Sequence, residues 1–262
     1  MKIPNYLHQL APLNKDNWHP IWHKCRESWL SNFKSVNFVL WSDEEAETLV
    51  RQHYPYYYDL YINFPFQINR IDFARFCILH KYGGVYADMD MYCYQDFFSS
   101  LSEKCYLVGS TLYQEIVQNS LMAAQPNHVF FLHCMDACKS AYDSGLHSFD
   151  KSNITTRESN DYVLNVTGPR LLTNAYNEHK EIVTVLPASE YNPHYLDYNA
   201  SVKTKHMLTG RWGTEMMDIK KNEHETVKNI MSHQDYLKLD YKGFRNIDLN
   251  NFNFKQKYNE NI

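Results

Sequence analysis

The chain has 262 residues, 21% of them charged, and a formal net charge of -4. That is the composition of a globular protein large enough for a sizeable core, and its charge sets aside a general nucleic-acid binder. No apolar run reaches the length of a membrane-spanning helix and the N-terminus lacks a signal-peptide stretch, while the six scattered Cys read as reduced thiols of a cytoplasm-like compartment.

Residues 3–8 read as a short strand. Residues 18–31 read as a helix, with Trp22, Cys25, Trp29 and Leu30 sharing an apolar stripe. Residues 36–41 alternate and then run apolar, as a buried strand does. Ser42 follows as an N-cap, with Glu45 placed to close a capping box. The strongest helical segment covers 67–82 and stops at Gly83, and residues 85–87 open the next strand. This alternation predicts an α/β domain with a largely parallel sheet. Farther on, 106–108 and 182–186 read as strands, 129–141 and 169–177 as helices, and 150–161 as a polar surface loop. Residues 220–235 read as a solvated helix. The organisation is one domain over 1–237, with helical additions toward the C-terminus, and a tail over 238–262.

The chemistry concentrates at Gly83-Gly84-Val85-Tyr86-Ala87-Asp88-Met89-Asp90. Gly is scarce, with 8 in the chain, so two adjacent ones mark a backbone requirement, a tight helix-to-strand turn. Two carboxylates at i and i+2 on an extended backbone point to one side. They repel unless a cation lies between them, and a divalent cation with oxygen ligands meets that need. Placed after a strand of an α/β sheet, such a cation can hold a diphosphate leaving group. Upstream, Asp72 and Arg75 share one face of the 67–82 helix, with Ile71, Ala74, Ile78 and Leu79 expected to bury the other. Asp72 could accept hydrogen bonds from sugar hydroxyls, and Arg75 could meet a phosphate.

Other readings fit less well. A phosphatase of the haloacid-dehalogenase type also uses a D-x-D, but early in the chain and with Thr or Val where Tyr92 stands here. A glycoside hydrolase needs carboxylates wider apart than an i, i+2 pair. A non-catalytic sugar-binding protein has no need of all four of Asp72, Arg75, Asp88 and Asp90. His133, Cys134 and Cys138 could bind a metal, but buried thiols on a helix face are the simpler reading.

The run from Asp72-Phe73-Ala74-Arg75 to Tyr82-Gly83-Gly84-Val85-Tyr86-Ala87-Asp88-Met89-Asp90 resembles the D-x-x-R…Y-G-G-x-Y-x-D-x-D signature of glycosyltransferase family 32. That family includes initiating mannosyltransferases and bacterial capsule and lipooligosaccharide transferases. Supporting segments are Ile3-Pro4-Asn5-Tyr6-Leu7-His8-Gln9, Leu40-Trp41-Ser42-Asp43, Asn119-Ser120 with His128, Thr167-Gly168-Pro169, and His206 with Arg211-Trp212, so the resemblance spans 3–213.

The resemblance implies a GT-A fold, a Rossmann-like mostly parallel sheet flanked by helices. It implies retaining transfer of a hexose-type sugar from a nucleotide-sugar donor, a UDP-sugar rather than GDP-mannose, to a glycan or glycolipid hydroxyl. A protein acceptor, as for an effector-type transferase, is the alternative. Mn2+ or Mg2+ would be bound by Asp88, Asp90 and His206. Donor contacts would come from Asp72, Arg75, Asp88, Gly84, Tyr86, His8 and Trp212, with Asp72, Arg75 and Asp90 catalytic. The family's base-stacking aromatic is missing at Ala11, which leaves that role to a ring such as Trp18, and Arg211 replaces a Ser. Lys203, Lys205, Arg211, Lys220 and Lys221 could form a basic patch for peripheral contact with an anionic membrane, placing the enzyme in the cytoplasm or at the inner membrane face.

Overall fold

The computed structural model describes residues 2–34, 36–102, 104–110, 117–145, 156–193 and 200–207. The elements in chain order are β1 (Tyr6–Leu10), α1 (Pro20–Asn32), β2 (Asn37–Trp41), α2 (Asp43–His53), α3 (Tyr58–Asn63), α4 (Gln67–Tyr82), β3 (Gly84–Ala87) and β4 (Met91–Cys93). They continue with β5 (Cys105–Gly109), β6 (Val117–Ala124), α5 (Val129–Asp143), α6 (Thr156–Val166), α7 (Pro169–Glu178), β7 (Val183–Leu186), α8 (Ala188–Tyr191) and β8 (Thr204–His206).

Six strands form one sheet in the order β2-β1-β3-β6-β5-β7. Five run in one direction, and β6 runs against both of its neighbours. Alternate residues of each strand feed two different cores. Tyr86, Leu107, Met122 and Ala124 face a layer built from α2, α4, α5 and α7. Leu7, Val85, Ala87, Tyr106, Val108, Leu121 and Ala123 face Trp29 and Phe33 of α1 and the segment carrying Phe97. Helical layers thus cover both faces, as a near-parallel sheet requires. Among the described residues no helix is long and apolar enough to cross a membrane.

Local chemistry sets the boundaries. Pro4 has no N–H, and pairing to β2 starts only at Tyr6↔Asn37, so β1 begins later than the residue pattern suggests. Pro20 occupies the first turn of α1 behind a His19 cap, which moves that start from residue 18 to 20. Ser42 and Glu45 form the expected capping box at the head of α2. Helix α4 spans 67–82 as expected, but it is not amphipathic. Ten of its 16 residues are buried, Asp72 and Arg75 among them, while Ile71 is only partly buried. Each fully buried Phe, Ile or Leu of this helix contributes about 1.5–3 kcal/mol, which ties α4 into the middle of the domain.

Gly83 and Gly84 make the turn from α4 into β3 with φ of +63° and +94°. A Cβ at Gly83 would stand 2.7 Å from Pro126, and one at Gly84 2.8 Å from the Tyr6 carbonyl. The paired glycines are therefore a steric requirement of packing the turn against β1 and β6.

Three expectations change. The polar stretch expected to be a loop over 150–161 is helical from Thr156, because Tyr162, Val163 and Val166 bury the other side of α6. Strands β4, β6 and β8 add to the strands expected: β4 and β8 are three residues each, and β6 carries Gln118, Asn119 and Ser120 in its middle. The D-x-D does not extend β3. It forms a turn in which the Met91 N–H donates to the Asp88 carbonyl. The expected helix over 220–235, the tail from 238, and Arg211, Trp212, Lys220 and Lys221 lie outside the described residues.

Candidate active site

Tyr86 points toward α4, and Asp88, just past the end of β3, brings its side chain to the same side. Between them sits Arg75. Its Nη2 lies 2.9 Å from Asp72 Oδ1 and its Nη1 lies 3.2 Å from Asp88 Oδ1. Nη1 also donates to the Asn119 carbonyl at 2.7 Å, and the guanidinium stands 4.9 Å over the Tyr86 ring. Tyr86 in turn donates its hydroxyl to Asp88 Oδ1 at 3.1 Å.

Asp72 is held from the other side as well. Asn119 Nδ2 donates to its Oδ1 at 2.9 Å and Thr167 Oγ1 to its Oδ2 at 3.1 Å. Thr167 itself accepts from Asn69 Nδ2 at 2.8 Å. Burial pushes the Asp72 carboxyl up to about 7, with Arg75 pulling back and the Asp88 charge adding to the rise. Burial also opposes the charge on Arg75, but Asp88, Tyr86, Asp72 and Asp90 outweigh it, so the guanidinium stays charged. Asp72 and Arg75 are 3% and 2% exposed. Neither opens to a ligand in this structure. Tyr86, also buried, supports Asp88 and Arg75 from beneath.

The open part of the site is different. The two-stranded sheet of β4 and β8 pairs Met91 with His206, and the Met207 N–H donates to the Asp90 carbonyl at 2.9 Å. A residue far downstream is thereby laid beside the D-x-D. Asp88, Asp90 and His206 each present one ligand atom, all within 4.8 Å of one another. Asp88 and His206 are partly open, their side chains 23% and 17% exposed.

These residues fit a divalent cation. Two carboxylates and an imidazole suit Mn2+ well and Mg2+ acceptably. The charge balance points the same way, since Asp72, Asp88 and Asp90 face one guanidinium. Burial raises the Asp88 carboxyl, with Arg75 countering and Asp90 adding to the rise. His206 Nε2 lies 3.1 Å from Asp90 Oδ1. Burial alone would lower its imidazole, but the Asp90 charge and hydrogen bond and the Asp88 charge overcome that and raise it. The cluster thus draws a proton to the position where a cation would neutralise it.

The remaining candidates sit nearby in other roles. His8 is fully buried on the α4 side of β1, and both of its nitrogens are engaged. Nε2 meets the Gly83 carbonyl at 2.9 Å, and Nδ1 accepts from Trp41 Nε1 at 3.2 Å. It clamps the glycine turn and is closed to a donor. Gly84 likewise packs against Tyr6 and His8, which accounts for it without a ligand. Trp18 is 5% exposed and packs with Ala11 and Met89, so its face is covered and not free for a base. Lys205 is 5% exposed and Lys203 bonds to Gln95, so these two do not form the expected open basic patch. Cys134 and Cys138 are buried thiols, and the His133 ring stacks on His179 instead of joining them.

Sequence reasoning missed four residues in roles. Gln9 Nε2 approaches the Asp88 carbonyl at 3.4 Å, and its Oε1 accepts from Arg26 Nη1. Arg26 is 6% exposed, stands over Phe38, and among the described residues no carboxylate pairs with it. Burial lowers it to about 10. Asn119 and Thr167 stand in segments noted for resemblance alone. Nothing in their spacing shows that both converge on Asp72.

Residues 20–107 match the family model for the glycosyltransferase sugar-binding region containing the DXD motif. A mannosyl phosphorylinositol ceramide synthase of Saccharomyces cerevisiae is 30% identical over 137 residues, 52% of this chain and 35% of that protein. Inositol phosphoceramide mannosyltransferase 1 of Schizosaccharomyces pombe is 28% identical over 197 residues, 72% of this chain and 57% of that one. The chain thus spans between 35% and 57% of the length of these two curated relatives. The UDP-bound glycosyltransferase domain of the YGT toxin overlays with a TM-score of 0.46 at 10% identity, covering 87% of this chain and 89% of that one. The mostly parallel sheet with helices on both faces is the α/β arrangement expected from the sequence. Residues 20–107 are thus similar to the DXD-containing sugar-binding region of glycosyltransferases.

Proposed function

We propose that this chain is a DXD-type glycosyltransferase that moves a hexose from a nucleotide-sugar donor to a hydroxyl of a glycolipid or glycan, with a divalent cation held by Asp88, Asp90 and His206. The convergence of those three ligand atoms within 4.8 Å, beside Arg75, carries this reading. The mannosyl transfer named for two relatives favours mannose as the sugar and GDP-mannose as the donor, in place of the UDP-sugar expected from the resemblance. Their inositol phosphoceramide substrates favour a glycolipid acceptor.

When bound, the cation supplies Lewis-acid stabilisation of the leaving diphosphate. Asp90 offers a carboxylate at the mouth of the turn, and His206 an imidazole from β8. Asp88 bridges the cation site and the buried Arg75, whose charge offsets negative charge in the cluster. The Tyr86 hydroxyl and the Gln9 amide hold the side chain and backbone of Asp88 in place. Retention follows if the acceptor hydroxyl attacks on the face the diphosphate leaves.

The test is a donor panel of GDP-mannose, UDP-glucose, UDP-galactose and UDP-N-acetylglucosamine, assayed for nucleoside diphosphate release with Mn2+ and with chelator. Release from GDP-mannose only with Mn2+ supports the reading, and NMR of the transferred anomeric proton reports retention. No release from any donor under either condition contradicts it.

A further inference from the structure

Asp72 presents both carboxylate oxygens inward, and three separate elements meet them. Arg75 comes from its own helix, Asn119 from β6, and Thr167 from the junction of α6 and α7. That junction is built for close approach. Gly168 has no room for a Cβ, which would stand 2.9 Å from the Val163 carbonyl, and Pro169 starts α7 at once. Thr167 is 0% exposed, and its hydroxyl is polarised in one sense, accepting from Asn69 and donating to Asp72. Asn119 acts at two points. Its side chain donates to Asp72, and its backbone carbonyl accepts from Arg75.

Arg75 is shared between Asp72 and Asp88. What anchors Asp72 therefore sets how much of the guanidinium remains for Asp88. If Asp72 lost a donor it would turn or take up a proton, and Arg75 would draw onto Asp88 and compete there with a cation.

We propose that Thr167 and Asn119 are positioning residues that act through Asp72 and Arg75 to leave Asp88 available to a divalent cation. This rests on the reading of Asp88, Asp90 and His206 as the cation site. It assigns a physical role to the Thr-Gly-Pro turn and to the Asn119 side chain of β6, both of which meet Asp72 beneath the open site.

Mn2+ alone is the probe, titrated by calorimetry into the whole chain, with thermal melts of the metal-free protein in parallel. Thr167→Val and Asn119→Ala each weaken Mn2+ binding about tenfold, the worth of one lost hydrogen bond to a charged group. Thr167→Ser restores the hydroxyl and stays within about threefold of wild type. Asp72→Asn removes the charge with the same shape, and Thr167→Val made on that background adds nothing further. Equal Mn2+ affinity for wild type and Thr167→Val overturns the proposal, as does a lowered melting temperature with unchanged affinity. The same loss on the Asp72→Asn background overturns it too, since Thr167 would then not act through Asp72. If wild type itself takes up no Mn2+, the cation site fails first and this proposal with it.

Discussion

Two layers of charge meet at Asp88, and they differ in what surrounds them. Below it Asp72, Arg75, Tyr86, Asn119 and Thr167 are buried, and their polar groups are directed mostly at one another. Above it Asp90 and His206 border the opening, with ligand atoms that converge on one point. The lower layer resembles a core built from charged groups, where removing one partner leaves the others buried and unpaired. The upper layer resembles an unfilled coordination shell, where removing a carboxylate relieves repulsion in the free protein and costs the ligand. Arg75 and the Tyr86 hydroxyl, both meeting Asp88, join them.

The sharpest way to break this comparison is to remove Arg75. Arg75→Met leaves two carboxylates without their cation, and the unfolding free energy falls by about 3–5 kcal/mol in a denaturant titration. A change under about 1 kcal/mol would mean that the lower layer is not a paired core.

A second test uses His8, which clamps the glycine turn beneath both layers. Burial holds its imidazole down at about 4, against an ordinary value of 6.5, with the Gly83 carbonyl partly countering. The folded protein therefore keeps His8 neutral while the unfolded chain takes up a proton. Its contribution is intact above pH 6.5 and is lost as the pH falls from 6.5 toward 4, about 3 kcal/mol in all. His8→Gln flattens that part of the stability–pH curve, even where it lowers the plateau. An unchanged slope would assign the acid sensitivity to other groups.

The smallest expected effect on folding lies in the upper layer. His206→Ala weakens Mn2+ binding about 10–100-fold. It leaves the melting temperature of the metal-free protein nearly unchanged. If melting falls and Mn2+ binding does not, His206 belongs with the lower layer.

The sequence exposed these layers unequally. Gly83-Gly84 and the 67–82 helix were legible because scarcity and helical length are local signals. So was the Ser42 capping box. His206 could be named only through resemblance, because β8 is too short for a period and its register with β4 is a long-range fact. The burial of Asp72 and Arg75 was not legible, for a definite reason. A spacing of three puts both on one helix face, but cannot say whether that face looks into a cleft or onto β6 and α6. Asn119 and Thr167 were invisible as site residues, since each reaches Asp72 from a distant segment. Helix α6 was read as a loop because its polar side dominates its first half.

The central claim is that the open layer holds a catalytic cation, and Asp90→Asn tests it most directly. It removes one charge from the upper layer and leaves Arg75 and its partners intact. Nucleoside diphosphate release from GDP-mannose should be measured for wild type and Asp90→Asn with saturating Mn2+, alongside melting curves. The account predicts a loss of at least about 100-fold in turnover with a melting temperature at or above that of wild type. Full turnover by Asp90→Asn with Mn2+ present would contradict it.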